Sequence, residues 1–143
     1  MSKLEKQYKS LPLKSRMEMA LSETVMDGYR PLLAVDQWNV IRCYFSRRAD
    51  LSLAEIAIMI EDDDYVIRLS IAKRNDLSLE QIEKCVIDAD PNVRHAIARN
   101  TLLSDKHRKV LLDDDDDLVR RSASKGPRHA QYRQRVGQAR LIR

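Results

Sequence analysis

A run of five aspartates at positions 113–117 is the stretch of this sequence whose residue types most directly suggest chemistry. Asp113, Asp115 and Asp117 occupy alternate positions, as the first ligands of a calcium-binding loop do. Such a loop also needs a glycine at its sixth position and a glutamate at its twelfth, and this sequence supplies neither. The run is better explained as a turn that leads into a helix, so we predict no metal site there.

Histidine and cysteine are the other residues that could do chemistry. His95, His107 and His129 lack the spacing of a zinc-binding HExxH motif, and Cys43 and Cys85 form no CxxC pair. We expect both thiols to be reduced and one to be buried. No catalytic triad, glycine-rich phosphate loop or perturbed carboxylate pair is recognisable. The sequence therefore predicts a protein that is not an enzyme and carries no cofactor.

The composition indicates one helix-rich domain. The chain has 143 residues, of which 43% are hydrophobic and 34% charged, with only three glycines and four prolines. It contains no apolar run near the ~20 residues that span a bilayer, and its N-terminus lacks the apolar core of a signal peptide. We expect a cytoplasmic protein without a membrane partner, whose oligomeric state the sequence leaves open.

Positive charge is concentrated at the C-terminus. Residues 127–143 contain five arginines and no acid, so taking these five charges from the net charge of +4 leaves −1 for residues 1–126. A nearly neutral body with a cationic extension suggests a local contact with an anionic partner.

The elements that must position these residues follow from an internal repeat. A fixed period of 26 residues aligns 49–74, 75–100 and 101–126 without gaps, and a degenerate fourth copy is placed at 25–48. The aligned positions include Leu51, Leu77 and Leu103, then Ser52, Ser78 and Ser104, and then Ile67-Arg68, Val93-Arg94 and Val119-Arg120.

Each copy is predicted to form two short helices. Ser52 with Glu55, and Ser78 with Gln81, have the spacing of a capping box at the start of the first helix. Pro91, one residue after Asp90, suits the first position of the second helix. The second helices are predicted to start after the aspartate N-caps Asp64, Asp90 and Asp116.

Helices of about ten residues cannot bury their apolar faces alone, so neighbouring copies must stack. The predicted fold is all-α, a right-handed α-α superhelix of about four helical hairpins over 25–126. Residues 1–24 are expected to supply a capping helix with Met17, Leu21 and Val25 turned inward. Gly126 is expected to end the last repeat. The basic segment 127–143 that follows is expected to form a terminal helix that buries Tyr132, Val136 and Ala139.

The segment DADPNVRHAIARN at 88–100, preceded by LSLEQIEKCVI, resembles the variant leucine-rich repeat, a bacterial relative of the HEAT-type helical repeats. The resemblance covers 49–126 well and 25–48 poorly, and this repeat is slightly longer than that family's usual unit. It implies a helical-repeat scaffold that binds other molecules. The cysteine cluster that holds an iron–sulfur centre in some relatives has no counterpart here, so no cofactor is implied.

HEAT-like repeats also tend to keep an aspartate and an arginine near the start of the second helix. Such pairs recur here six residues apart, and we expect them to form a structural Asp–Arg ladder between copies. The alternative is that the arginines form a row that reads a ligand. The pairs are Asp36 and Arg42, Asp62 and Arg68, Asp88 and Arg94, and Asp114 and Arg120.

Positions that vary between copies are the candidates for binding, because framework positions are committed to packing. The sequence favours a protein partner bound by the second-helix face, with nucleic acid as the alternative. The partner-binding candidates are Tyr65, Leu69, His95 and Arg121.

A second row is basic in every copy. Cations at helix C-termini complement the helix dipole, which is the preferred explanation. The alternative is an anion-binding line that continues into the C-terminal arginines. The candidates are Arg47, Lys73, Arg99, Lys125, Arg128, Arg133 and Arg135.

Trp38 stands where the other copies have an aspartate N-cap. We expect it to pack against the N-terminal cap, and the alternative is an exposed contact residue.

Overall fold

Ten helices and one two-stranded sheet make up the chain, and the structure, a computed structural model, describes all 143 residues. The chain divides into two units. Unit 1 comprises Met1–Met59 together with Tyr132–Arg143, and unit 2 comprises Ile60–Gln131.

Unit 1 contains five helices and the sheet. Helix α2 packs against α4, and the short α3 packs against α4 and α5. Its core includes Leu33, Ile41, Phe45 and Ile56, which are completely buried. The elements are α1 Lys3–Ser10, α2 Leu13–Leu21, α3 Arg30–Ala34, α4 Asn39–Ser46, α5 Leu53–Met59, β1 Tyr132–Arg133 and β2 Leu141–Ile142.

Unit 2 contains the other five helices, which are α6 Tyr65–Ala72, α7 Leu79–Val86, α8 Pro91–Ala98, α9 Asp105–Leu112 and α10 Asp117–Lys125. Helix α8 packs between α6 and α10, and α7 packs against α9. Ile67, Val93 and Val119, which share one position of the 26-residue period, are all completely buried. The mostly helical fold is therefore built by helix–helix packing.

Side-chain caps start most of these helices as predicted. Ser78 accepts from the backbone N–H of Gln81 while the Gln81 side chain accepts from the Ser78 N–H, which completes a capping box. Ser52 and Glu55 make the same two bonds. The predicted aspartate N-caps Asp64, Asp90 and Asp116 are confirmed, since each carboxylate accepts from a backbone N–H in the first turn of its helix.

The N-terminal segment differs from the prediction. Residues 1–24 form two helices, α1 and α2, and not one. Arg16 and Ala20 are the buried residues of α2, whereas Met17 and Leu21 are only half-buried and Val25 lies outside the helix. The spacing of Met17, Leu21 and Val25 predicted the wrong buried face, because the face of α2 that is buried contains the charged residue Arg16.

The C-terminal segment also differs, because no helix forms after α10. Gly126, with φ of 81°, ends α10, and the following chain folds into the antiparallel pair β1–β2, with Tyr132 opposite Ile142. Gly137 adopts φ of 76° in the turn between the strands. The expected burial of Tyr132, Val136 and Ala139 is right for Ala139 alone, since Val136 is fully exposed and Tyr132 half-buried.

Backbone hydrogen bonds explain why the extended form is stable. The N–H groups of Ala139 and Ile142 donate to the carbonyls of Leu21 and Arg47, both at 2.8 Å. Leu141 and Ile142 are buried as a result. None of the ten helices has both the length and the apolar character needed to cross a bilayer.

Candidate binding surface

In unit 2, arginines on the second helices bind aspartates in the turn before the next second helix. The Nε and Nη2 groups of Arg68 donate to the Asp88 carboxylate at 2.9 and 3.1 Å, and those of Arg94 donate to Asp114 at the same two distances. The Nη1 groups donate to the carbonyls of Asp62 and Asp88, both at 2.7 Å. Each guanidinium therefore ties its own turn to the turn one copy later.

The protonation states match this geometry. Burial alone would raise the pKa of Asp114, but the hydrogen bonds from Arg94 and from the Asp116 N–H outweigh it and lower the pKa. The pKa values of Arg68 and Arg94 are raised by their hydrogen bonds to Asp88 and Asp114. The Nε and Nη2 groups of these two arginines are therefore occupied by carboxylates.

The five-aspartate run is shared among these structural contacts. Asp114 binds Arg94 and accepts from the N–H of Asp116, which caps α10, while Asp113 ends α9. The Asp117 carboxylate accepts from Arg121. The run is thus the turn that connects two helices, and no group of acidic, histidine or cysteine side chains is placed to hold a metal ion.

Unit 1 contains a contact of the same kind that the sequence analysis missed. Arg16 Nη1 donates to the Asp36 carboxylate at 3.1 Å, and the Tyr8 hydroxyl donates to the same oxygen at 2.5 Å. Arg42 Nη1 binds the Asp36 carbonyl at 2.7 Å. The signal was present, because one period of 26 residues before Arg42 is Arg16. Burial and the bond to Asp36 raise the pKa of Tyr8 above its ordinary value.

A second column was also missed, at the second residue after each of α4, α6 and α8. Arg48 and Arg74 are almost completely buried, and their Nε and Nη2 atoms form paired hydrogen bonds with Asp50 and Asp76 at 2.8 to 2.9 Å. In the sequence each directly follows a cation of the basic row, Arg47 or Lys73. They are interior structural groups, because burying a cation requires a paired carboxylate.

The equivalent residue of the next copy, Asn100, is buried too. Its amide Nδ2 donates to the carbonyls of Ala72 and Arg74, both at 2.8 Å. Arg48 Nη1 binds two carbonyls at the same sequence offsets, at 2.8 and 2.7 Å, those of Ala20 and Ser22. This column satisfies carbonyls at helix C-termini, which would otherwise lack partners.

The partner-binding candidates of the sequence analysis all lie in unit 2. Tyr65 is 40% exposed, Leu69 and His95 are half-buried, and Arg121 is exposed and bonded to Asp117. Leu69, His95 and Arg121 occupy equivalent positions on α6, α8 and α10, which pack in that order. They therefore form a row along one layer of helices.

His95 contacts the neighbouring helix. Its Nδ1 atom is hydrogen-bonded to the Ser122 hydroxyl on α10. Burial lowers the pKa of His95 from its ordinary value of 6.5, although a contact with the Leu118 backbone opposes this. The imidazole is therefore mainly neutral at pH 7, and it offers a partner a polar but uncharged surface.

Two cations of the basic row, Arg47 and Arg99, bind the chain's own backbone. Arg47 Nε donates to the Ile142 carbonyl at 3.0 Å in unit 1, and Arg99 Nη1 donates to the Gly126 carbonyl at 2.6 Å in unit 2. Lys125 and Lys73 are exposed at the ends of their helices. Two of the four cations thus fix the segment that follows α10.

The C-terminal arginines fall into both units. Arg128 is exposed in unit 2, and its N–H donates to the Arg99 carbonyl at 2.7 Å. Arg135 is exposed and Arg133 half-buried in unit 1, where Arg140 stacks 3.9 Å from the centre of the Tyr132 ring.

Trp38 is 49% exposed, so about half of its surface is covered and the other half is accessible. Its backbone occupies the N-cap position of α4, where its side chain provides no capping hydrogen bond. The alternative of an exposed contact residue stays open.

No family of known proteins, no curated protein and no solved structure matches this chain.

Proposed function

We propose that the chain is a non-enzymatic helical-repeat module that binds another protein through the second-helix face of unit 2. Its helix pairs would form a right-handed α-α superhelix related to the variant leucine-rich and HEAT-like repeats. Such repeats use a constant framework to present variable side chains.

One observation carries this proposal. Framework positions in the three packed second helices are equally buried, as Ile67, Val93 and Val119 show. The neighbouring row of Leu69, His95 and Arg121 is accessible and changes from apolar to neutral polar to cationic. A surface with fixed geometry and varied chemistry suits recognition of one specific partner.

Affinity purification from the native host tests the proposal. Partners recovered with the wild-type chain should be lost from the variant Leu69→Ser, His95→Ala, Arg121→Gln. They should persist with the matched control Glu83→Gln, Lys106→Gln, Lys109→Gln, whose changes fall on exposed positions of α7 and α9. Both variants should keep the wild-type circular dichroism spectrum. Retention of every partner by the first variant would refute this choice of face.

Nucleic-acid binding is the second candidate, and the ordered C-terminal hairpin favours it. Residues 132–143 carry four arginines and no acid, and buried Leu141 and Ile142 hold this segment against the rest of unit 1. A fixed cationic segment can contact phosphates without first being ordered.

Anisotropy measurements with random duplex DNA at two salt concentrations test this second candidate. Binding by phosphate contacts should weaken steeply with salt. Replacing Arg128, Arg133 and Arg135 by glutamine should flatten the log–log salt dependence by about one unit for each arginine that binds a phosphate. Absence of binding at low salt would dismiss a nucleic-acid role.

A further inference from the structure

The last guanidinium of the Asp–Arg ladder, that of Arg120, has the position of its predecessors but not their carboxylate. Its Nη1 donates to the Asp114 carbonyl at 2.6 Å, as Arg68 and Arg94 do to their own turns. Its Nε has no hydrogen-bond acceptor, and Nη2 makes only a 3.5 Å contact with Asp117. The edge of the guanidinium that binds a carboxylate in the earlier copies is therefore open.

The chain has no aspartate of its own for this edge. Arg16, Arg68 and Arg94 each bind an aspartate located 20 residues further along the sequence. Twenty residues after Arg120 lies Arg140, which is a cation and belongs to unit 1. The Arg120 side chain is accordingly 42% exposed, compared with 18% for Arg68 and 14% for Arg94.

Residues of the same copy as Arg120 are also more exposed than their equivalents in the earlier copies. Leu112 is 41% exposed, whereas its equivalents Ile60 and Val86 are 6% and 4% exposed. Ser124 is exposed where Ala98 is completely buried. The end of unit 2 thus combines an oriented guanidinium with an uncovered leucine.

We propose that this end of unit 2 docks a second protein through an acidic turn before a helix, whose carboxylate binds Nε and Nη2 of Arg120. The ladder contacts define what fits, namely two carboxylate oxygens near 2.9 and 3.1 Å from the two nitrogens. Apolar side chains after the acidic residue would cover Leu112. The weak contact with Asp117 yields to the incoming carboxylate.

A different protein is proposed because this chain's equivalent aspartates are already occupied. Asp88 and Asp114 each bind an arginine, and Asp36 is buried under Arg16 and Tyr8. A second copy would have to give up one of these contacts in order to present an equivalent turn aspartate to Arg120.

A peptide of residues 86–97, VIDADPNVRHAI, is a suitable probe because it carries the turn that Arg68 binds within the protein. Titration into the full-length, ¹⁵N-labelled chain should move the Nε–H resonance of Arg120 in a saturable way. The same peptide with Asp88→Asn should bind roughly tenfold more weakly, since a neutral amide replaces a charge-assisted pair.

Protein variants locate the contact. Arg120→Gln should abolish binding of the peptide, while the matched variant Lys106→Gln, which removes an exposed cation of α9, should leave it unchanged. An unmoved Arg120 resonance, or equal binding of the two peptides, overturns the proposal without any variant having to fold. Dependence on Arg121 and Leu69 in place of Arg120 would move the contact to the second-helix face and overturn it in favour of that surface.

Sedimentation of the chain without peptide gives the remaining outcome. If the wild-type chain dimerises as its concentration rises, the Arg120→Gln variant should dimerise equally well. A dimer that Arg120→Gln abolishes would identify a second copy as the occupant and overturn the assignment to a different protein.

Discussion

The turn before α4 in unit 1 and the turn before α8 in unit 2 use the same chemistry under different burial. In both turns an aspartate accepts from the N–H two residues later, Asp36 from Trp38 and Asp88 from Asp90, at 2.8 Å. The Asp36 side chain is completely buried, whereas the Asp88 side chain is 12% exposed.

The two turns also differ in how the following helix begins. Asp90 caps α8, while Trp38 leaves α4 without a side-chain cap. In the turn of unit 1 we expect the buried pair of Arg16 and Asp36 to contribute most of the stability. In the turn of unit 2 we expect the partly solvated pair of Arg68 and Asp88 and the Asp90 cap to share it. Arg16 reaches Asp36 through Nη1 alone, whereas Arg68 binds Asp88 through both Nε and Nη2. The same residue types at one spacing thus form pairs of different geometry and burial, from which we expect unequal energetics.

Arg16→Met should give the largest effect. It leaves the Asp36 carboxylate buried without its cation, which typically costs about 3–5 kcal/mol, a large part of the stability of a small protein. Urea unfolding followed by circular dichroism measures the loss. Adding Asp36→Asn should restore part of it, because the uncompensated charge is then removed. A loss below about 1 kcal/mol, as for an exposed pair, would contradict the dominant role of the buried charge pair.

Asp114→Asn tests a partly solvated pair of unit 2. The amide oxygen can still accept from the Asp116 N–H, so the variant chiefly removes the charge that binds Arg94. We expect a loss of about 2 kcal/mol in unfolding free energy at pH 7, less than for the buried pair.

The pH dependence of this loss has a definite sign. The folded pKa of Asp114 lies below its ordinary value of 3.8, so folding favours the charged form. The stabilisation is fully present above pH ~4 and disappears as the pH falls through the folded pKa. The difference between wild type and Asp114→Asn should therefore shrink below about pH 4. A difference that stays constant down to about pH 2 would mean that ionisation of Asp114 does not contribute.

The sequence was sufficient to predict the starts of α5, α6, α7, α8 and α10. Ser78, Asp90 and Asp116 cap their helices as expected, because capping depends on side chains within three residues of the helix start. Local chemistry and the 26-residue period together placed the turns before α6, α8 and α10.

Contacts between distant segments were less accessible from the sequence. Arg16 was overlooked because the apolar spacing of Met17 and Leu21 dominated that helix, and a buried arginine becomes recognisable only through its partner Asp36. The C-terminal strands depend on carbonyls of Leu21 and Arg47 that lie more than ninety positions away in the chain. No local pattern within 132–143 contains that information.

Trp38→Asp should stabilise the chain by about 1 kcal/mol by giving α4 the cap that α8 has. The Trp38 backbone has φ −91° and ψ 117°, close to the −92° and 125° of Asp90, so an aspartate fits without strain. The thermal midpoint should rise, and Trp38→Ala, which removes the ring but adds no cap, should not reproduce the increase. A destabilised Trp38→Asp variant would show that the half-exposed indole contributes more by packing than a cap does.

Lys84→Ala should have the smallest effect and sets the baseline for the comparison. Lys84 on α7 contacts Glu61 of the preceding copy, so this pair joins neighbouring copies as the pairs of the Asp–Arg ladder do. Both of its side chains are about half exposed. The contact raises the pKa of Lys84, yet solvent competes for both groups and salt screens them. The urea midpoint should match that of wild type within error, with Lys109→Ala, an exposed lysine without a carboxylate partner, as the matched control. A clear loss for Lys84→Ala alone would mean that contact between copies, and not burial of the pair, determines the strength of these interactions.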